Sequence, residues 1–177
     1  MSATVRLHCY RGIADDGEPG CHAAVNVLHF RTTDDNDDDA EYPIRKPSTG
    51  VNYSFWKQVA LVAETPPDSF INNIRIYPGS SYDWTDSKLY IDQVDNYEQA
   101  TGAEGVTGDV MTEHEDNPTL NDLSSYSEGS PFTVDGSIAV ATGRINDGYI
   151  ILQVAVGANE NIGYSGTDSI MIRWDEA

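Results

Sequence analysis

The sequence predicts an all-β protein, an antiparallel β-sandwich of jelly-roll-like kind with about eight strands. Three observations carry this. Apolar and polar residues alternate with a period of two: in Thr4-Val-Arg-Leu-His-Cys-Tyr10, Val5, Leu7 and Cys9 share one face and Arg6, His8 and Tyr10 the other. Turn chemistry punctuates the runs, and no segment shows the 3.6-residue period of an amphipathic helix.

The elements follow in order. Residues 4–10 form the first expected strand, and similar runs stand at 24–30, 56–63, 70–77, 88–94, 131–140, 149–156 and 169–174. Pro66-Pro67-Asp68, Pro78-Gly79-Ser80, Asp135-Gly136, Asn146-Asp147-Gly148 and Ser165-Gly166 separate them, supplying the fixed and positive φ angles that tight turns need. Asn146-Asp147-Gly148 predicts a hairpin between 139–144 and 149–156. Two stretches carry little strand signal: 32–48, dominated by Asp34-Asp-Asn-Asp-Asp-Asp39, and 99–129, rich in Gly, Thr, Glu and Asn. The division expected is an N-terminal arm or hairpin with an acidic linker over residues 1–51, and a sandwich over 52–177.

Length and charge bound the function. With 177 residues the chain is long enough to bury a core without disulfide or metal staples. Nineteen Asp and ten Glu stand against seven Arg and three Lys, a net charge of -19. Duplex nucleic acid and anionic membrane surfaces are excluded as default partners, because phosphates would be repelled. The apolar run at 149–156 is interrupted by Gln153 and is far short of the roughly 20 residues a membrane helix requires. The first residues do not form a secretory signal. Scarce Lys, abundant Asp and ordinary apolar content point to salty solvent, where a Debye length of about 3 Å at 1 M removes most self-repulsion.

Candidate chemistry is sparse. His8, Cys9, Cys21 and His22 are the densest set of metal-capable side chains, but neighbours on a strand point to opposite faces and the spacing matches no standard zinc pattern. Three alternatives stay open for them: a Cys9–Cys21 disulfide closing a loop rich in Gly, two unrelated thiols, or a metal pair. A disulfide would place the protein outside cells or on a particle surface. Asp34–Asp39 opens like a calcium loop, yet the sixth and twelfth positions hold Asp39 and Arg45 where Gly and Glu are needed, so a solvated charge run is expected. Glu113-His114-Glu115-Asp116 has no spacing that marks an acid and base pair, and no nucleophile, metalloprotease or phosphate-loop motif occurs. The expectation is a protein that is not an enzyme and takes no cofactor. Among the aromatics, Trp56 and Trp174 lie inside strand runs. Tyr82 and Trp84, in a turn-rich stretch, are the expected exposed pair, as an interface anchor or a sugar platform.

Ordered pieces from Asn52 onward carry a resemblance. They are Asn52-Tyr-Ser-Phe-Trp-Lys57, Ile71-Asn-Asn-Ile-Arg-Ile-Tyr77, Tyr97-Glu-Gln-Ala-Thr-Gly102 with Gly105-Val-Thr-Gly108, Pro131-Phe-Thr-Val-Asp-Gly-Ser-Ile138, Asp147-Gly-Tyr-Ile-Ile-Leu-Gln-Val-Ala-Val-Gly157 and Ile172-Arg-Trp-Asp-Glu176. In their order they resemble a family of small structural proteins encoded by tailed viruses of bacteria and archaea. The resemblance implies a β-sandwich virion component with no catalytic residues. Joined to the charge, it implies a capsid decoration or turret protein of a haloarchaeal tailed virus. Such a protein would sit on the virion surface as a trimer or pentamer, against the major capsid protein or neighbouring virion proteins. A tail or baseplate component and a carbohydrate-binding module for host glycans are the alternative expectations.

Overall fold

The structure, a computed structural model, describes residues 2–13, 19–37, 41–79, 84–161 and 168–177, and of residues 13 and 19–22 the backbone alone. It is built from antiparallel strands: β1 (Val5–Ile13), β2 (Pro19–Val25), β3 (Val51–Tyr53), β4 (Lys57–Ala63), β5 (Phe70–Pro78), β6 (Ser87–Val94), β7 (Gly102–Ala103), β8 (Thr107–Gly108), β9 (Asn121–Asp122), β10 (Phe132–Val134), β11 (Ile138–Ala139), β12 (Gly143–Arg144), β13 (Tyr149–Gly157) and β14 (Ile170–Glu176). Only two single turns of 3₁₀ helix, Met111–Glu113 and Leu123–Ser125, interrupt them among the described residues.

The strands form two sheets. The larger runs β2-β1-β4-β13, with β6 and then β9 beyond β13; β3, β8 and β7 continue it past the start of β4. The smaller has β5 at its centre, β10 and β11 in succession along one edge and β14 along the other. Between them lies the main core, where Val59, Leu61, Ile91, Ile150 and Leu152 of the larger sheet meet Ile71, Ile74, Ile76 and Val134 of the smaller. Several of these are fully buried, each stabilising the fold by about 1.5–3 kcal/mol over an exposed side chain. The chain is therefore an all-β sandwich.

The larger sheet is covered on its other face too. Residues 95–120 fold across it, and Trp56, Ala100 and Met111 close a second core over Tyr149 and Ile151. Tyr149, Ile151, Ile150 and Leu152 thus face two cores from one strand, which is why β13 reads as a nearly continuous apolar run rather than an alternating one.

Three details differ from expectation. The second strand is Pro19–Val25, paired with β1 through Leu7↔Val25 to Ile13↔Pro19, and residues 26–30 continue as a loop whose Leu28 and Phe30 plug the sandwich edge. The run at 131–140 is split into β10 and β11 at Gly136, whose φ of 139° and close approach to the Ile145–Asp147 backbone leave no room for a side chain. Asn146-Asp147-Gly148 does not turn a hairpin. Both β12 and β13 pair with the same edge of β4, so the chain bulges and continues in its original direction. Asn146, 2% exposed, holds that bulge: its carbonyl accepts from Leu61 N at 2.8 Å and its amide donates to Gly148 O at 3.0 Å. The side chain replaces a ladder bond, so local turn chemistry is satisfied without reversal.

The hairpin of β1 and β2 lies in the plane of the larger sheet. β1 pairs with β4 from Val5↔Ala63 to Tyr10↔Gln58, and Cys9 is part of the main core.

Candidate functional site

Most of the buried polar chemistry sits at two places on the larger sheet. The first is a group of cations beneath the acidic run. Lys57 opens β4 on the face that carries Val59 and Leu61, and Arg11 follows the last pair of the β1–β4 register, Tyr10↔Gln58. Lys57 is 2% exposed and its ammonium donates to Thr33 O and Asp35 O. Burial pushes its pKa down, and the surrounding Cys9, Asp34 and Asp35 oppose that shift. Arg31, also buried, donates to Glu41 O through its Nε at 3.1 Å, and through Nη1 to Asp35 Oδ1 at 2.9 Å and Asp37 O at 3.0 Å. Arg11 meets Asp37 at 3.5 Å.

Of the acidic run expected to be held in water, Asp37 is exposed, whereas Asp34, Asp35 and Asn36 are half-buried. Residues 34–37 lie over three of the chain's few cations because Arg31 and Lys57 need acceptors that a buried charge cannot take from solvent. The remaining polar atoms tie the loop down. Asp34 Oδ2 accepts from Gly12 N, Asn36 Oδ1 accepts from His29 N, and Asn36 Nδ2 donates to Val27 O, all within 3.0 Å. Residues 38–40 lie outside the described residues.

The second place is the seam between the larger sheet and the 95–120 cover. Gln153, fully buried in mid-β13, accepts from Met111 N at 2.8 Å and donates to Ser54 O and Asp109 O at 2.7 Å each. Gln58 accepts from Glu98 N and donates to Asn96 O at 2.9 Å. His114, its side chain 0% exposed, stacks edge-on to Trp56 and accepts at Nδ1 from Asp116 N at 3.1 Å; Glu98 Oε2 stands 3.7 Å from the same nitrogen. Slight burial would raise the Asp116 pKa, but hydrogen bonds from Asn96 and Asp95 hold it below the ordinary carboxylate range. Each of these groups fastens a loop backbone. Glu113 and Glu115, flanking His114 in sequence, do not join it: Glu115 N instead donates to Glu98 Oε2.

The expected metal or disulfide set is only partly visible. His8 and Cys9 project to opposite faces of β1: His8 Nε2 lies 4.0 Å from Glu64 Oε1, whereas Cys9 is buried in the main core. The backbone register sets Cys21 across from Arg11 and His22 across from Tyr10, but the side chains of Cys21 and His22, and with them the disulfide and the metal pair, lie outside the described residues. Among the described residues no three His, Cys, Asp or Glu side chains gather as a metal site.

Tyr82 is likewise outside the described residues. Trp84, expected to be exposed, is half-buried and packs against the main core, because the loop folds its indole onto the sandwich edge. Trp56 and Trp174 pack as expected of strand residues, into the second core and against the main one.

Sequence reasoning missed Arg31, Lys57, Gln58, Asn146 and Gln153. Lys57, Gln58 and Gln153 share one signal, a polar residue where the strand run calls for an apolar one; Arg31 and Asn146 stand outside the strand runs and carry none. A depression of about 120 Å³ lined by Cys9, Arg11, Ala23, Val25, Asn36 and Asp37 lies beside the cation group. No helix among the described residues is long and apolar enough to cross a membrane. Neither a protein-family model, nor a curated protein, nor a solved structure matches the chain.

Proposed function

We propose that this chain is a non-catalytic structural protein of a virion, a decoration or turret protein on the capsid of a haloarchaeal tailed virus. It would act by assembling with copies of itself and binding the shell. The observation that supports this most is where the polar chemistry goes. Lys57, Gln58 and Gln153 donate to main-chain carbonyls of connecting segments, Arg31 divides its bonds between main-chain carbonyls and Asp35, and Asn146 fastens the bulge between β12 and β13 to β4. That design stiffens a surface instead of presenting groups to a substrate, and a rigid sandwich suits a protein that works by contact. The net charge of -19 suits concentrated salt, where its self-repulsion is screened, and the ordered resemblance from Asn52 onward points to the same class.

The test is co-sedimentation. Purified protein is mixed in about 2–3 M KCl, where its repulsion is screened, with shells stripped of accessory proteins. Saturable binding at a fixed ratio to the major capsid protein is expected. Protein that stays in the supernatant, and that is missing from purified virions, would sink the proposal. Labelled protein found on tails instead of heads would move it to the tail or baseplate.

A further inference from the structure

The two sheets are finished differently. The larger carries a second core on the outer face of β13 and β6, whereas the smaller turns one face to solvent, and among the described residues no strand pairs with the outer edge of β14. That face carries Phe70 and Met171, two of the exposed large apolar side chains, and between them Arg75 and Arg173 directly across from one another. Arg75 pairs with Asp175 and Arg173 with Glu128. In a chain of net charge -19 this is a locally balanced patch. It lets a second equally acidic copy approach without like-charge repulsion.

The backbone specifies how. Ser169 O accepts from Gly79 N, and Phe70 and Ala177 exchange both their bonds, so odd-numbered residues of the last strand bond inward to β5. The N–H and C=O groups of Ile170, Ile172 and Trp174 therefore point away from β5 along the outer edge. Met171, Arg173 and Asp175 are exposed on the solvent face, while Ile170, Ile172 and Trp174 pack inward. An antiparallel partner must pair even with even. Of the registers allowed, the one centred on Trp174 sets Arg173 opposite Asp175 of the second copy, twice over, in the positions where facing side chains come closest. Centring one residue earlier or later would oppose Arg173 to Arg173 or Asp175 to Asp175.

We infer that β14 pairs antiparallel with β14 of a second copy about a two-fold axis at Trp174, joining the two smaller sheets into one continuous sheet. The inference rests on the reading of the protein as self-assembling, and it makes the elementary contact isologous. A trimer or pentamer would then be built through another surface and linked to its neighbours through this one.

The experiment is sedimentation equilibrium of the full chain and three variants in about 2–3 M KCl over about a hundredfold range of concentration. The unaltered chain and Arg173→Lys should show a monomer–dimer equilibrium, or even multiples of it. Arg173→Asp should weaken it about tenfold or more by placing like charges opposite at both related pairs. Ile172→Pro, which removes an outward N–H not used within the fold, should abolish it. A chain that is monomeric throughout, or an association unchanged in Arg173→Asp, would overturn the inference. Should Ile172→Pro fail to fold, as seen by tryptophan fluorescence, the surface variant Arg173→Asp decides. Shell binding is scored separately: a dimer that ignores shells refutes the virion reading alone, and a monomer that binds shells refutes the contact alone.

Discussion

Replacing Gln153 by Leu should destabilise the protein, although the strand pattern around it asks for an apolar residue. In β13 the neighbours Ile151, Leu152 and Val154 are buried, and a leucine would gain about 1.5–3 kcal/mol from removing its apolar surface from water. Against that stand three hydrogen bonds with main-chain partners. Met111 and Ser54 are both 0% exposed, so the Met111 N–H and the Ser54 carbonyl would be left without water, at about 1–3 kcal/mol each. Asp109 is exposed and its carbonyl can turn to solvent, so it adds little. The net loss is about 2 kcal/mol, small beside the gross terms and large beside a domain's stability. Gln153→Glu should cost more, because it keeps the acceptor for Met111 but aims a buried charge at two carbonyls. Urea unfolding in high salt measures both, and amide exchange at Met111 locates the effect, with protection falling there before it falls in β5. A Leu variant as stable as the parent, or a Glu variant milder than the Leu one, would refute the view that Gln153 fastens the cover to the sheet.

Other expectations follow from the same geometry. Desolvation would raise the Glu160 pKa, but hydrogen bonds from Ser87 and the N–H groups of Asp86, Asn161 and Thr85 together outweigh it and hold the pKa to about 2. A depressed carboxylate stabilises the fold fully above its unfolded value near 4.5 and loses that contribution as pH falls towards about 2. Glu160→Gln should therefore lower the melting temperature at pH 7 and converge with the parent near pH 2, as differential scanning fluorimetry would record; a constant gap across that range contradicts it. Lys57 gives the same direction of slope in an alkaline window: its folded pKa lies below the ordinary lysine value, so unfolding takes up protons between the two and stability rises with pH across that window. Lys57→Met should flatten that rise in urea titrations from neutral to alkaline pH. Gly148 has a φ of 53° and an added Cβ would stand 2.0 Å from Val94 O, so Gly148→Ala should cost about 2 kcal/mol or more, read as a shifted urea midpoint.

The sandwich was legible because strand periodicity is a property of each run by itself. β1, β4, β5, β6, β13 and β14 all fall on runs of alternating or continuous apolar residues. What escaped was set by partners distant in the chain. Asn146-Asp147-Gly148 has the composition of a hairpin turn, but Leu61 offers Asn146 a ladder position and the chain bulges instead of reversing. The Asp run looked solvated because its cations, Arg11 of β1, Arg31 of the loop after β2 and Lys57 of β4, come from three separate segments of the chain. The second core has no signature of its own, since the 95–120 stretch that forms it with Trp56 is written in turn residues. Trp84 sits among loop residues and still packs inward, because a half-buried sandwich edge offers an indole more apolar contact than water does.

β13 lies in the middle of the larger sheet, bonding β4 and β3 on one edge and β6 on the other, yet it follows nearly all the other strands in the chain. Until residue 149 emerges, β4 and β6 have no common neighbour, and their apolar faces wait as open edges. Folding is then gated by one late insertion between strands made long before, a topology with a high entropic cost of loop closure and a long exposure to misassociation.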